Sequence, residues 1–178
     1  LMPSLAIGLS FSTTTSSSSS DSSFGTATTL SGNNIHVTSN TGDGIRAGEA
    51  VGAGTMNLQS AWAAPVFYVP GEDRGRLCTI ERALPGCIMV NQSGQRYLNE
   101  AASYHVTGQI MARRQAEHGD AAPSWMVFDH EYRHKFPMGP LLPLVPDWLQ
   151  EGPVRAILKK APSIEALADA MGVNPAAL

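Results

Sequence analysis

The segment "GQRYLNEAASY", residues 94–104, separates two kinds of sequence pattern and organises the interpretation of the whole chain. Residues 87–99, which include the first half of the segment, form a β-rich run, a turn that ends in Gly94 and a second short run, which is typical of a hairpin. Residues 100–119, which begin in its second half, are rich in helix-forming side chains and end in Gly119, a common stop signal. The segment therefore predicts a junction between a strand and a helix.

Four polar side chains stand close together at this junction: Arg96, Asn99, Glu100 and Tyr104. If the helix begins near Asn99, Glu100 and Tyr104 are four residues apart and share one face. A carboxylate in the first turn is favoured by the helix dipole, and Arg96 can pair with it or with an anionic ligand. Two interpretations stay open: a functional site, or helix capping by Asn99 and Glu100 with Tyr104 packed against the helix.

The remaining segments predict short helices and strands in irregular order, which is typical of an α+β fold. Besides 100–119, helices are predicted within 40–54, capped by Asp43 or Thr41, and within 163–172, capped by Ser163 and closed by Gly172. A short buried strand is predicted at 124–129, and residues 61–85 look irregular or strand-like. No G-x-G-x-x-G motif occurs, so the usual dinucleotide-binding unit is not predicted. Asp43 is either a helix cap or a carboxylate that accepts hydrogen bonds from a bound cofactor.

Residues 1–39 are rich in Ser and Thr and poor in large apolar side chains. Such a composition buries too little apolar surface to offset the entropy of ordering, so we expect this segment to be disordered. Residues 40–178 are then expected to form the folded domain. The opening residues lack the basic start of a secretory signal, and the chain begins with Leu1 rather than Met. We therefore expect either a fragment of a longer protein or an N-terminus that is not native to the domain.

Charge and cysteine content argue against several broad classes of function. The formal net charge of -3 gives no electrostatic footprint for nucleic acid, and no apolar stretch is long enough to span a membrane. Cys78 and Cys87 fit no common zinc or redox motif, so two free thiols in a cytoplasmic protein are favoured over a disulfide. The string "HEYRH", 130–134, matches H-E-x-x-H, but Phe136 and Pro137 end any helix there. For residues 130–134, a solvated helical turn is therefore favoured over a metal site.

The segment "FPMGPLLPLVPDWL", 136–149, is apolar and interrupted by prolines. As a loop, it would expose several large apolar side chains unless it covered something. It predicts either a wall over an apolar ligand or a surface packed against a neighbouring domain, and the pattern favours neither.

Four strings in a fixed order carry a resemblance to a known family. They are "NTGDGIRAGEAVGA", "ERALPGCIMVNQSGQRYLNEAASY", "SWMVFDHEYRHKFPMGP" and "SIEALADAMGVNPAAL". In this order they resemble the FAD-dependent flavoproteins related to fumarate reductase, and they are most similar to the 3-ketosteroid Δ1-dehydrogenase branch. The resemblance covers about residues 40–178 and implies the substrate (cap) region of such an enzyme. The Gly-rich FAD motif and a second flavin segment would flank this region.

The resemblance also implies roles for individual residues. Tyr104 matches the tyrosine that removes the proton from C2 of the steroid, while a hydride leaves C1 for flavin N5. A free tyrosine hydroxyl has a pKa of about 10, so donors or positive potential must favour its ionised form. Asp43 matches a position near the FAD. Asn99 and Glu100 match positions that line the site in the fumarate-type enzymes, and the alternative in this chain is that they only orient Tyr104.

The substrate implied by the resemblance is a 3-ketosteroid or a similar apolar cyclic ketone. Ala64 stands where fumarate reductases carry a histidine that binds a dicarboxylate, and the surrounding side chains, including Trp62 and Phe67, are apolar. Fumarate-type reduction of a small unsaturated acid is therefore a weaker alternative. A further alternative is a truncated cap domain without flavin, either inactive or acting as a module that binds apolar ligands. The resemblance does not specify the electron acceptor.

Overall fold

The structure, a computed structural model, describes residues 42–56, 62–72 and 75–178, together with the backbone of Ser4–Thr14. Its strands are β1 Ser4–Thr14, β2 Trp62–Phe67, β3 Arg76–Leu77, β4 Cys87–Val90, β5 Ser124–Phe128 and β6 Leu158–Ala161. Its α-helices are α1 Asp43–Ala50, α2 Tyr104–His118, α3 His130–Lys135, α4 Gly152–Ile157 and α5 Ile164–Met171. Two short 3-10 helices occupy Glu81–Ala83 and Asp147–Leu149. The α+β class predicted from the sequence is confirmed.

The six strands form one antiparallel sheet around β1, in the order β3-β2-β1-β5-β4, and β6 also pairs with β1. Residues 5–9 of β1 pair with β5, residues 9–14 pair with β2, and residues 4–7 pair with β6. A strand has only two edges, so β2 and β6 lie in succession along one edge while β5 takes the other. The sheet therefore joins segments that are more than 100 residues apart in sequence.

Helices cover both faces of the sheet. Along β4 and β5 alternate side chains enter two different cores, as the two-residue period of a strand requires. Met89 and Met126 belong to a core that includes Met111 of α2 and Tyr132 of α3. Side chains of the opposite parity enter the second core, which is closed by α5 through Leu167, Ala168 and Met171. The junction before α2 therefore lies against the first core.

Gly108 lets α2 approach β2 closely. A Cβ atom at Gly108 would lie 2.6 Å from the carbonyl carbon of Ala63 and 2.7 Å from its oxygen. No side chain fits there without a shift of the backbone, so only glycine permits this separation. The contact fixes the height of α2 above the sheet, and with it the position of the Tyr104 backbone.

Several sequence-based predictions are confirmed. The strand predicted at 124–129 is β5, and α5 begins at the N-cap Ser163, whose Oγ accepts a hydrogen bond from the Ala166 N–H at 3.2 Å. Gly172 closes α5 in a left-handed conformation.

Other predictions are wrong. α2 begins at Tyr104 rather than near Asn99, and β4 pairs with β5 instead of forming a regular hairpin. Only an isolated bridge between Val90 and Arg96 remains of the hairpin. The N-cap of α1 is Gly42, with no side-chain capping bond, so Asp43 does not cap the helix.

Disorder was predicted for residues 1–39, yet Ser4–Thr14 form the central strand β1. The backbone N–H and C=O groups of β1 pair with β5 along one edge and with β2 and β6 along the other, and this pairing orders the segment. Residues 1–3 and 15–41, with the candidate cap Thr41, lie outside the described residues. In that part of the chain the predicted disorder stays a prediction, as does the domain boundary at residue 40.

Candidate active site

Tyr104 is the first residue of α2 and is half-buried. The helix is capped by Ser103, whose Oγ accepts a hydrogen bond from the Val106 N–H at 3.3 Å. The N-terminal end of a helix carries partial positive charge, which favours an anionic group nearby. The sequence therefore places a tyrosine on the first residue of α2.

Glu100 is buried in the turn before α2 and is held by two elements. Its carboxylate accepts a hydrogen bond from the Met89 N–H of β4 at 2.8 Å. It also accepts two from Arg96, at 2.9 Å from Nε and 2.6 Å from Nη2. Burial raises the pKa of Glu100, but the bonds from Arg96 and from the Met89 N–H outweigh burial and hold the pKa below its usual range. Glu100 is thus an anion that ties the turn to the sheet.

Arg82 is a residue of the junction that sequence reasoning missed. Its side chain is buried, and its Nη1 donates to the carbonyl oxygens of Glu100 and of Ala102, the latter at 2.5 Å. Both carbonyls lie just before α2, so the guanidinium holds the backbone that leads into Tyr104 through hydrogen bonds. The only signal in the sequence is an arginine within the otherwise turn-like stretch "TIERALPG".

Three other predicted site residues lie in different surroundings. Asn99 is exposed, and its side chain accepts a bond from the Ala101 N–H at 3.0 Å, a local turn contact. Phe67 is fully buried in the first core. Trp62 belongs to β2, but its side chain lies outside the described residues. The substrate-binding roles of Asn99, Glu100, Trp62 and Phe67 stay predictions.

Asp43 opens α1, a helix without a single buried residue. Its carboxylate is 76% exposed and pairs with Arg46. A Cβ atom at the neighbouring Gly44 would meet nothing within 4 Å, and Gly42 has a φ of 81°. An open backbone surface beside an exposed carboxylate fits one side of a cofactor site, since hydroxyl groups of a ligand can donate to the carboxylate.

The histidines of "HEYRH" lie on α3, with ring centroids 4.3 Å apart. The helix ends at Lys135, before Phe136, as predicted. Among the described residues, no group of three or more His, Cys, Asp or Glu side chains is placed to hold a metal ion.

Cys78 and Cys87 are free thiols. Burial raises the pKa of both, that of Cys87 to about 12. In the part of the chain that the structure describes, no helix has the length and apolar character needed to cross a bilayer.

Comparison with known proteins extends this picture. The model of the family described as FAD binding domain matches residues 26–177. The 3-oxosteroid 1-dehydrogenase of Mycolicibacterium smegmatis is 32% identical over 147 residues, which cover 78% of this chain and 25% of the enzyme. The 4-oxocyclohexanecarboxylate 2-dehydrogenase of Sinomonas cyclohexanicum is 33% identical over 104 residues, covering 54% of this chain and 18% of that protein.

A solved structure is also similar. It is the 3-ketosteroid delta1-dehydrogenase of Sterolibacterium denitrificans in complex with 1,4-androstadiene-3,17-dione. The TM-score is 0.63 at 40% identity, over 79% of this chain and 25% of that one. The chain thus spans about a quarter of the length of these steroid dehydrogenases. Because the family model matches most of its length, the chain belongs to the FAD binding domain family of flavoprotein oxidoreductases, in which FAD is the cofactor.

Proposed function

We propose that this chain is the substrate (cap) region of an FAD-dependent dehydrogenase that introduces a double bond next to the carbonyl group of a cyclic ketone. Tyr104 is the base that removes the proton. The observation that carries the proposal is the position of Tyr104 on the first residue of α2, directly after a turn held by Arg82 and Glu100. Relatives named as 3-oxosteroid 1-dehydrogenases support the choice of reaction.

The proposed reaction removes two hydrogens from neighbouring carbons. The oxygen of Tyr104, as its phenolate, takes the proton from C2, which the adjacent ketone makes acidic. The hydride leaves C1, and a double bond forms between C1 and C2. FAD, when bound, supplies the acceptor for that hydride at N5.

The residues of this chain have three tasks in the proposal. Tyr104 receives the proton, while Arg82 and Glu100 keep its backbone in place through the turn. A rigid turn helps because a catalytic base loses efficiency when its atom is misplaced by as little as about 1 Å. Asp43 holds hydroxyl groups of the cofactor on the open side of α1.

The substrate class in the proposal is a 3-ketosteroid. A smaller cyclic ketone is a second candidate, because the relative from Sinomonas cyclohexanicum is named for 4-oxocyclohexanecarboxylate. Both candidates share a carbonyl group next to the carbon that loses the proton. The same base therefore serves either substrate.

The first experiment tests whether the chain retains FAD. The purified chain is mixed with excess FAD and desalted, and its visible absorption spectrum is recorded. A flavin band that stays with the protein is expected, and Asp43→Ala should weaken retention. Complete loss of the band from the wild-type chain would contradict cofactor binding by this chain.

The second experiment tests the base. With FAD bound, a 3-ketosteroid should bleach the flavin absorbance in the absence of oxygen, and Tyr104→Phe should slow bleaching by about 100-fold or more. Tyr97→Phe is the matched control, because the Tyr97 hydroxyl bonds with the Ser124 Oγ at 2.8 Å in the interior. If the two variants bleach equally fast, Tyr104 is not the base.

A further inference from the structure

A cavity of about 610 Å³ lies between α3, the loop after it and β6. This volume is in the range of sites for small organic ligands. We call it the α3 cavity, and it is lined by His130, Arg133, His134, Leu144, Val145, Pro146, Asp147, Trp148 and Lys160. Apolar side chains come mainly from the loop, and cationic or proton-binding side chains come from α3 and β6. The lining thus combines an apolar wall with polar groups.

The charges of the lining do not balance. Asp147 is its only carboxylate, and it is shared by two cations. Its Oδ1 accepts from Arg133 Nη2 at 3.3 Å, and its Oδ2 accepts from Lys160 Nζ at 3.1 Å. One positive charge therefore remains uncompensated, even with both histidines neutral. The cavity is complementary to an anion.

Arg133 is the rigid part of the wall. It is only 6% exposed, although it carries a charge. Nη1 donates to the carbonyl of Leu142 at 2.5 Å and Nη2 donates to that of Val145 at 2.7 Å, which curls the loop around the guanidinium. Its Nε has no hydrogen-bond partner among the described residues. The shape of the cavity is thus preformed rather than left to a mobile loop.

The loop carries strain and exposed apolar surface at the same place. Leu144 has a φ of 64°, the only positive value for a residue other than glycine in the described part of the chain. Leu144 is 76% exposed and Trp148 is 73% exposed. A left-handed leucine costs on the order of 1 kcal/mol or more, and such strain is concentrated at binding sites. Large apolar side chains held open beside a cavity are typical of a ligand site.

We propose that the α3 cavity binds a small organic anion with an aromatic or alicyclic ring. The ring packs against Trp148 and Leu144, and the carboxylate of the ligand shares Lys160 with Asp147. The apolar wall explains the need for a ring, and the uncompensated cation explains the need for a negative charge. The proposal concerns residues that the proposed dehydrogenation does not use.

The test uses the purified chain with no FAD added, so that it is independent of the proposed function. The probe is 2-naphthoate, and 2-naphthamide is its uncharged counterpart. The chain contains three tryptophans, so three indole N–H signals are expected in a ¹⁵N–¹H spectrum. Trp148→Phe identifies the signal of Trp148. Trp125, which packs against the second core, is the internal control.

Titration with 2-naphthoate should shift the Trp148 signal in a saturable manner and leave the Trp125 signal in place. The uncharged amide should bind at least about fivefold more weakly, since it lacks the charge that Lys160 recognises. Lys160→Gln should weaken naphthoate binding by about threefold to tenfold, and Lys160→Arg should restore most of it. Lys159→Gln is the matched control, because Lys159 lies on the same strand but does not line the cavity.

Three results would overturn the proposal. They are an unshifted Trp148 signal at millimolar naphthoate, equal affinity for the acid and its amide, and equal losses in Lys159→Gln and Lys160→Gln. A spectrum that keeps the dispersion of the wild-type chain shows that each variant is folded. Because no flavin is present, failure of this test and failure of the dehydrogenase proposal are separate results.

Discussion

Replacing Glu100 by glutamine tests whether the turn before α2 depends on a buried carboxylate. The side chain is 6% exposed, and the Met89 N–H that it binds belongs to a fully buried residue. A glutamine oxygen can still accept from this N–H, but the bond loses its charge assistance, worth about 1 kcal/mol. The NH2 group of the glutamine would also face the guanidinium of Arg96, so that N–H donors of the two side chains oppose each other. Leaving one buried donor unsatisfied costs about 1–3 kcal/mol.

The expected loss in the free energy of unfolding is therefore about 2 kcal/mol for Glu100→Gln, and it arises from the buried end of the side chain. For a chain of this size, that lowers Tm by about 4–8 °C. Thermal unfolding followed by circular dichroism measures the change. Glu131→Gln is the matched control, because Glu131 pairs with Lys135 at 3.2 Å on the surface, where both side chains are about two-thirds exposed. Equal Tm values for the two variants would refute the structural role of Glu100.

Three further predictions concern the pH dependence of the Glu100 contribution, the packing of Gly108 and the reactivity of Cys87. The stability difference between the wild type and Glu100→Gln should shrink as pH falls below about 4. The lowered pKa of the Glu100 carboxylate stabilises the fold above the unfolded pKa, and this stabilisation is lost when the carboxylate is protonated. Urea titrations at pH 7 and pH 3 measure the stability difference, and a difference that stays constant contradicts the prediction. Gly108→Ala should lower the free energy of unfolding by about 1–3 kcal/mol, because the new Cβ atom clashes with Ala63. Gly44→Ala, in the exposed helix α1, should raise it by roughly 0.5–1 kcal/mol. The opposite order of Tm values would argue against the close packing of α2 on β2. Cys87, with a pKa of about 12 caused mainly by burial, should react with a thiol reagent at pH 8 far more slowly in the native chain than in urea, and equal rates would show that the thiol is accessible.

Local sequence patterns were sufficient to predict the elements whose structure is determined by residues within the element itself. Strand β5 was predicted from a short apolar run, and α5 from a capping serine, a helical apolar stripe and a closing glycine. In both elements the signal and the structure lie within about ten residues of each other. The family was predicted from the order of four strings, and the family comparison confirms it.

The start of α2 required the tertiary structure. Glu100 was expected in the first turn of the helix, but its carboxylate binds the backbone of β4, and Arg82 holds the carbonyls around it. These long-range bonds outweigh the helical preference of residues 100–103 and delay the helix until Tyr104. A single sequence does not show that these groups become partners, because β4 and the 3-10 helix that carries Arg82 come close to Glu100 only after folding.

The sequence by itself determined which chemical groups the molecule has: a tyrosine after an Asn-Glu pair, an apolar segment 62–67 and a proline-rich apolar loop. Only the tertiary structure decided where those groups point. Phe67 is buried in the core, whereas Leu144 and Trp148 are exposed. These two side chains line a cavity to which α3 and β6 contribute the cations. The physical reason is that hydrophobicity and charge are properties of a residue type. Burial and complementarity, in contrast, are properties of the neighbours that the folded sheet brings together.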